Sequence, residues 1–380
     1  MFKKGFTLIE LLVFVAIFAL IIGSFVTILV AVISLQSNQS AIAEVSEQSQ
    51  FFIQQIQYYV SGARLADMPL DSATNKIVLR EPASASIIDP TVIYVGGGVA
   101  YLQQGATSAQ AFTSSAVSIS NFSVTRHYNI NSSSSAFGVE SVSYSFTMSS
   151  ASAPNGTSYS QSFQGSVALF SPVPKIAMVQ QAKAESALPN VSSLSATFPS
   201  NNESGDMLIA VVANTASGAT VTLSDSAGNS WNTKANATYP SYNTEISVLN
   251  AQNIINSSNT VTATFGGPTA GFASMFIYEY RGASTSSSFD VSANQTQSSN
   301  SSPSSGFANA TSATELVLGV IHNANTAEIP SGGAGFTLET TSTVSNAFFE
   351  DMNQFITGPT SANWQFSGTP DSSVVVATFK

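Results

Sequence analysis

The sequence predicts an α+β chain: a long N-terminal helix packed on an antiparallel β head, followed by an all-β, jelly-roll-like sandwich. Three observations carry this. The run from Phe6 to Leu35 is almost wholly apolar, a thin apolar stripe continues beyond it, and everything after residue 65 reads as short strands between turns rich in Ser, Thr, Asn and Gly. With 380 residues the chain exceeds the ~100–200 residues of one domain, so more than one folding unit is expected.

The helix comes first. The thirty residues of this run at about 1.5 Å each give roughly 45 Å of helix, enough to cross a bilayer and too long for the core of a cleaved secretory signal. The run then becomes amphipathic: Ile42, Val45, Ser49, Phe52, Ile56 and Tyr59 are spaced 3, 4, 3, 4, 3, a narrow seam. One helix from about Phe6 to Gly62 is therefore expected, with Gly62 and Pro69 bracketing its end.

Residues 66–173 supply the head. "TVIYV" (91–95), "AVSISNFSVTRHY" (116–128), "GVESVSYSFTM" (138–148) and "SYSQSFQGSVALF" (158–170) are strand-like, with breaks at Gly96 to Gly98 and Ser132 to Ser135. "SPVPK" (171–175) marks the boundary, since alternating prolines stiffen a linker and do not fit a central strand. Residues 174–380 supply the sandwich, through "DMLIAVVA" (206–213), "TVTATF" (260–265), "ASMFIYEYRG" (273–282), "ELVLGV" (315–320) and "SVVVATFK" (373–380).

Composition narrows the function classes. Only 8% of residues are charged and the net charge is -10, which disfavours nucleic acid as a partner because phosphates require a positive field. No cysteine is present, so disulfides, thiolate metal sites and cysteine nucleophiles are excluded. The polar, low-charge body fits an exposed surface protein.

Candidate chemistry is sparse. His127 and His322 lie in different proposed domains without an acidic or nucleophilic constellation suggested by the sequence, so no catalytic residue and no enzyme activity are expected. Asp225 and Asn229 in "DSAGN" could offer oxygens to calcium, but a strand-linking turn with Gly228 at positive φ asks for the same residues, and the turn is preferred. Glu350 and Asp351 beside Phe348 and Phe349 could rim a binding patch, with a core role for the aromatics preferred. "GGG" at 96–98 lacks the Lys and Ser/Thr of a phosphate loop, and no cofactor or metal is expected. Sequons such as Asn121, Asn155, Asn236 and Asn309 arise readily in so Asn- and Ser-rich a chain.

One residue stands out. Glu10 is the single charge between Gly5 and Ala43, and an unpaired carboxylate at bilayer depth costs roughly 2.5–3.5 kcal/mol on insertion scales. Its context is "KKGFTLIELL" (3–12): a short basic leader, Gly, Phe, a Glu at the fifth position after the Gly, then unbroken apolar helix. This resembles the class III signal of type IV pilins and of type II secretion pseudopilins. The resemblance implies removal of the leader, residues 1–5, by a prepilin peptidase between Gly5 and Phe6, N-methylation of Phe6, and filament assembly through Glu10. The new cationic amine of one subunit would sit beside Glu10 of its neighbour, a charge-assisted pair that fixes register because either charge alone in an apolar core is costly.

The implied partners are other pilin subunits, the prepilin peptidase and assembly machinery, and the inner membrane before assembly. The implied location is single-pass in the cytoplasmic membrane, then the extracellular fibre. Residues 6–65 form the helix and 66–173 resemble the head of minor pilins and larger pseudopilins; 174–380 resemble a module of bacterial adhesin-like proteins. Many major pilins have a proline midway along the helix where this chain has Thr27, which leaves major and minor rank open. Three readings stay in view: a minor or specialised pilin displaying a sandwich for adhesion to a cell surface or glycan, a secretion pseudopilin, and a membrane-anchored surface protein. Aromatics of the last domain, Trp231, Tyr239, Tyr242, Tyr278, Tyr280 and Trp364, are the candidates for stacking on a sugar or protein, with core packing as the alternative.

Overall fold

The computed structural model describes residues 8–81, 88–129, 137–150, 159–170, 173–189, 191–215, 220–267, 271–324, 328–342, 344–354 and 357–380. One long helix, α1 (Leu8–Gly62), is followed by antiparallel strands in several sheets. The chain divides into two compact units: residues 1–127 with 141–170, and residues 128–140 with 171–380.

α1 runs unbroken through Gly23 and Ser24, where the hydroxyls of Ser24 and Thr27 bond back to the Ile21 and Gly23 carbonyls at 2.8 Å. Such local bonds satisfy polar groups that otherwise have no partner in an apolar run. Its buried side chains are Ala41, Val45, Ser49, Phe52, Ile56 and Val60. The centre of the expected seam holds, but its ends do not: Ile42 is 44% exposed and Tyr59 only half-buried. A strict 3.5-residue repeat belongs to two supercoiled helices, whereas a rod lying on a sheet buries whatever each turn brings to that surface.

In the first unit the strands are β1 (Leu65–Ala66), β2 (Ala73–Thr74), β3 (Lys76–Arg80), β4 (Thr91–Gly96), β5 (Val99–Gln104), β6 (Gln110–Ala111), β7 (Val117–Asn129), β8 (Phe137–Ser150) and β9 (Ser160–Ala168). The far end of the β7/β8 pair, from Tyr128 to Glu140, counts with the second unit. One sheet has the order β1-β3-β4-β5-β6; the other pairs β2 with β7, β7 with β8, and β8 with β9. Helix meets sheet through Phe52, whose ring lies 4.9 Å from Phe146 and 5.7 Å from both Phe112 and Phe122. Arg80, fully buried, is held by Asp67 at 2.7 Å, the paired arrangement that a buried charge requires.

The second unit begins with β10 (Val173–Pro174), which pairs with β8 at Gly138 and Phe137. Part of the proline-rich "SPVPK" stretch is therefore an edge strand, the position in a sheet that tolerates proline. Then follow β11 (Ala177–Ser186), β12 (Ser193–Thr197), β13 (Met207–Asn214), β14 (Val221–Asp225), β15 (Asn232–Tyr239), β16 (Thr244–Ala251), β17 (Thr260–Phe265) and β18 (Ala273–Arg281). The remainder is β19 (Phe289–Gln297), β20 (Ala308–Ala310), β21 (Glu315–Asn323), β22 (Thr337–Thr341), β23 (Ala347–Gln354), β24 (Gly358–Thr360) and β25 (Ser372–Phe379).

These strands elaborate the expected sandwich into a stack of four layers. Two five-stranded sheets, β11-β18-β13-β16-β15 and β19-β25-β21-β23-β22, face each other. Their shared core holds Ile209, Val211, Phe276 and Tyr278 from one side and Leu318, Val320, Phe349 and Val375 from the other. The outer face of the first is backed by β12-β17-β14, and that of the second by the short pair β20-β24 with Trp364 and Phe366. Both faces being covered, β13, β16, β18, β21 and β25 are buried along their whole length.

The two large sheets are topological copies. Numbering strands within each half, the first sheet runs first-eighth-third-sixth-fifth and its backing sheet second-seventh-fourth. The second half repeats this, except that among the described residues its fourth strand is reduced to the bridge of Ser331 with Gln365. Register agrees as well: Met207 pairs with Tyr280 and Asn214 with Ala273, as Leu316 pairs with Phe379 and Asn323 with Ser372. Even the bulges coincide, at Met178/Gln180 and Phe289/Ser292 in the first strands and at Thr233/Ala235 and Leu338/Thr340 in the fifth. Residues 177–281 and 289–379 are thus two versions of one module.

Candidate functional site

The candidate site is the first part of α1. Gly5 and Phe6, the residues flanking the expected cleavage, lie outside the described residues; Glu10 lies in the first turn of α1, where the helix dipole favours an anion. Around it the apolar side chains point outward on every side: Leu8 is 81% exposed, and none of Leu8–Ile33 is buried. The helix is long and apolar enough to cross a membrane. From Ala41 onward one stripe, Ala41, Val45, Ser49, Phe52, Ile56 and Val60, is covered. A helix apolar all round needs lipid or other helices, so the first half is built for an environment that the rest of the chain does not supply.

The other sequence candidates resolve physically. Asp225 caps its turn: Oδ1 accepts the Asn229 backbone N–H at 2.9 Å, while Oδ2 accepts Asn229 Nδ2, Trp231 Nε1 and Asn259 Nδ2 at 2.9–3.3 Å, and Gly228 has φ +76°. Those donors occupy the oxygens that calcium would need, the turn arrangement that the sequence favoured. Glu350 does not rim a patch. It is fully buried with Phe348 and Phe349, which are core, and Tyr280 donates its hydroxyl proton to Asp351 at 2.6 Å. Among the six aromatics, Tyr278, Tyr280 and Trp364 are fully buried, Tyr239 is buried and Trp231 half-buried; Tyr242 is 41% exposed. Core packing therefore claims most of the residues considered for stacking.

Glu350 has an environment of its own. It faces Gly319 across the strand pair, where the first module has Leu249 facing Ala210. A Cβ on Gly319 would come within 2.7 Å of the Glu350 side chain, and one on Gly332 would collide with it, so glycines make the room. Burial pushes its carboxyl up to about 8, opposed by the Gly333 N–H at 2.9 Å and reinforced by Asp351. His322, stacked on Phe272 at 5.5 Å, is buried, which pushes its imidazole down to about 4 against the Ser345 backbone.

One constellation escaped the sequence and corrects the reading of His127. Its Nδ1 lies 2.8 Å from Asp71 Oδ1 and its Nε2 3.0 Å from Ser143 Oγ, an Asp-His-Ser chain beside a polar groove of about 440 Å³. Residues so far apart in the chain leave no local signal; only the pairing of neighbouring strands unites them. The contacts match a nucleophile and base, but the setting does not. Asp71 is 68% exposed, and Ser143 is in mid-strand between β7 and β9, whose ladders take up the N–H groups an oxyanion site would need.

Residues 1–26 match the family described as the prokaryotic N-terminal methylation motif. No curated protein matches the chain. Motif and apolar helix together support a type IV pilin-like protein, a pilin or pseudopilin. The motif implies processing by a prepilin peptidase and assembly with other pilins, and it points to a structural, non-enzymatic protein.

Proposed function

We propose that this chain is a minor or specialised subunit of a type IV pilus, held by α1 in the cytoplasmic membrane as a single-pass protein and later assembled into the extracellular fibre. The observation that supports this most is the methylation motif continuing into a helix whose first half is apolar on all sides. Residues 1–5 are the leader, 6–65 the assembly helix, 66–173 the head and 174–380 the displayed β region. Cleavage falls between Gly5 and Phe6, the new Phe6 amine is methylated, and Glu10 pairs with that amine on a neighbouring subunit. Intact-mass measurement of protein from sheared filaments should show loss of residues 1–5 and a methylated Phe6. An unprocessed terminus would instead mark a membrane-anchored surface protein. Glu10→Ala should leave processing intact and lower incorporation, because the helix loses its register partner but stays apolar.

The finer role is adhesion. The second unit is far larger than a filament contact requires, and its surface is polar and poor in charge. Tyr242 offers an exposed ring whose hydroxyl is held by Asp371 at 3.0 Å, a posture suited to a sugar or protein surface. Tyr242→Ala in otherwise intact filaments should reduce attachment to cells or glycan arrays; unchanged attachment would leave the unit a spacer.

A further inference from the structure

The second module carries a lysine, an aspartate and a glutamate at positions its twin fills otherwise. Asp290 lies in the bulge of β19, and a bulge re-aims the side chain it carries. Lys380 Nζ sits 2.9 Å from Asp290 Oδ1, with the two side chains 36% and 5% exposed. Asp290 also accepts the Thr311 N–H at 2.8 Å and its hydroxyl at 2.6 Å. Glu315, fully buried at the start of β21, accepts the Ser312 N–H at 2.7 Å and interacts with the Asp290 carboxyl. The matching positions of the first module, by strand register, are Val179, Arg281 and Asp206. The fold thus does not need this trio, and the twin has no primary amine there.

We propose that Lys380 and Asp290 condense to an intramolecular amide that joins the first and last strands of the second module, with Glu315 passing the proton. The bond formed is Lys380 Nζ to Asp290 Cγ; the bond broken is Asp290 Cγ to one carboxyl oxygen. Ammonium and carboxylate lose one water between them: two ammonium protons leave with that oxygen, and the charges cancel. Glu315 lends a proton to the departing oxygen and regains one from the amine, so no oxidant, reductant or co-reactant is required.

Protonation fits this division of labour. Burial raises the Glu315 carboxyl above its ordinary range, and Asp290 beside it raises it further, against Thr378 and Ser312. Burial also acts to raise Asp290, but the bonds from Thr311, Lys380 and Glu315 prevail and lower it. The resting state is an ion pair; the attacking state is its neutral tautomer, which removal of both carboxyls from water brings closer in energy. Amine and carboxyl fixed in contact act at effective molarities on the order of 10⁵ M or more, which favours condensation over hydrolysis.

The test is the intact mass of the folded full chain, measured after denaturation. The expected result is a mass lower by one water, with proteolytic peptides carrying Asp290 and Lys380 joined. Lys380→Arg should restore the full mass, and Glu315→Gln should slow or abolish water loss while circular dichroism stays native. A full-mass wild type with free Lys380 would overturn the proposal and leave a salt bridge. Water loss that persists in Lys380→Arg would overturn it equally, because it would arise elsewhere.

Discussion

At the residue scale, Glu350 and His322 give the second module opposite responses to pH. Glu350 has a folded pKa raised to about 8, so its contribution is intact below the unfolded value near 4.5 and is lost as pH rises toward 8. His322 has a folded pKa lowered to about 4, so its contribution is present above about 6.5 and lost as pH falls toward 4. Between about 4.5 and 6.5 the two slopes cancel; above that range Glu350 acts alone, at up to about 1.4 kcal/mol per pH unit. Thermal melting should therefore be flat across the acidic window and fall toward pH 8, with Glu350→Gln removing the fall. A wild type equally stable at pH 6 and pH 8 would contradict the buried acid. Ser143 is the companion case: with an exposed Asp71 and no oxyanion donors from its strand, it should resist fluorophosphonate labelling. Labelling lost in His127→Ala would reinstate it as a nucleophile. The sequence showed Glu10 because charge is rare in an apolar run, but not the burial of Glu350, which depends on three glycines distant in the chain.

At the element scale, the hydrophobic period carries two kinds of signal. Strands of the first unit alternate, as in "VSISNFSVTRHY", and pack on one face. "MLIAVVAN", "ELVLGVIHN" and "SSVVVATF" do not alternate, and they are the strands covered on both sides. Unbroken apolar runs of strand length thus carried the news of a layered stack, while the strand positions themselves were clear from composition and turns. For α1, the middle of the seam was legible because Phe52 and Ile56 are large; the ends depended on where the sheet stops. Phe52→Ala should cost about 3–5 kcal/mol in denaturant unfolding of the detergent-solubilised chain. Ile42→Ala should cost well under about 1 kcal/mol in the same assay, since nearly half of the residue is already in solvent. Equal losses would mean that the buried stripe follows the 3.5-residue seam after all.

At the scale of the whole molecule, the duplication was invisible to sequence inspection. The twins share register and bulges but little residue identity: Leu249 answers to Glu350, Arg281 to Lys380 and Val179 to Asp290. What persists is the hydrogen-bonding pattern of the backbone, which many side-chain sets satisfy. Because the central core is built by both modules, neither can be removed without exposing the other's Phe276, Tyr278 or Phe349. Residues 177–379 should accordingly melt in one calorimetric transition, with equal van't Hoff and calorimetric enthalpies. Two resolved transitions would mean that the facing sheets are stable apart.

The place of β18 and β25 within their sheets also sets a timetable. Each is the final strand of its module, yet each lies inside its sheet, β18 between β11 and β13 and β25 between β19 and β21. Neither sheet can zip shut as the chain emerges: β11 and β13 must wait for residues 273–281, and β19 and β21 for residues 372–379. Such distant pairings fold slowly and leave adhesive edges open in the interval. Vectorial export across a membrane, with the amino-terminal helix still anchored, would hold each growing chain apart from its siblings until the last strand arrives.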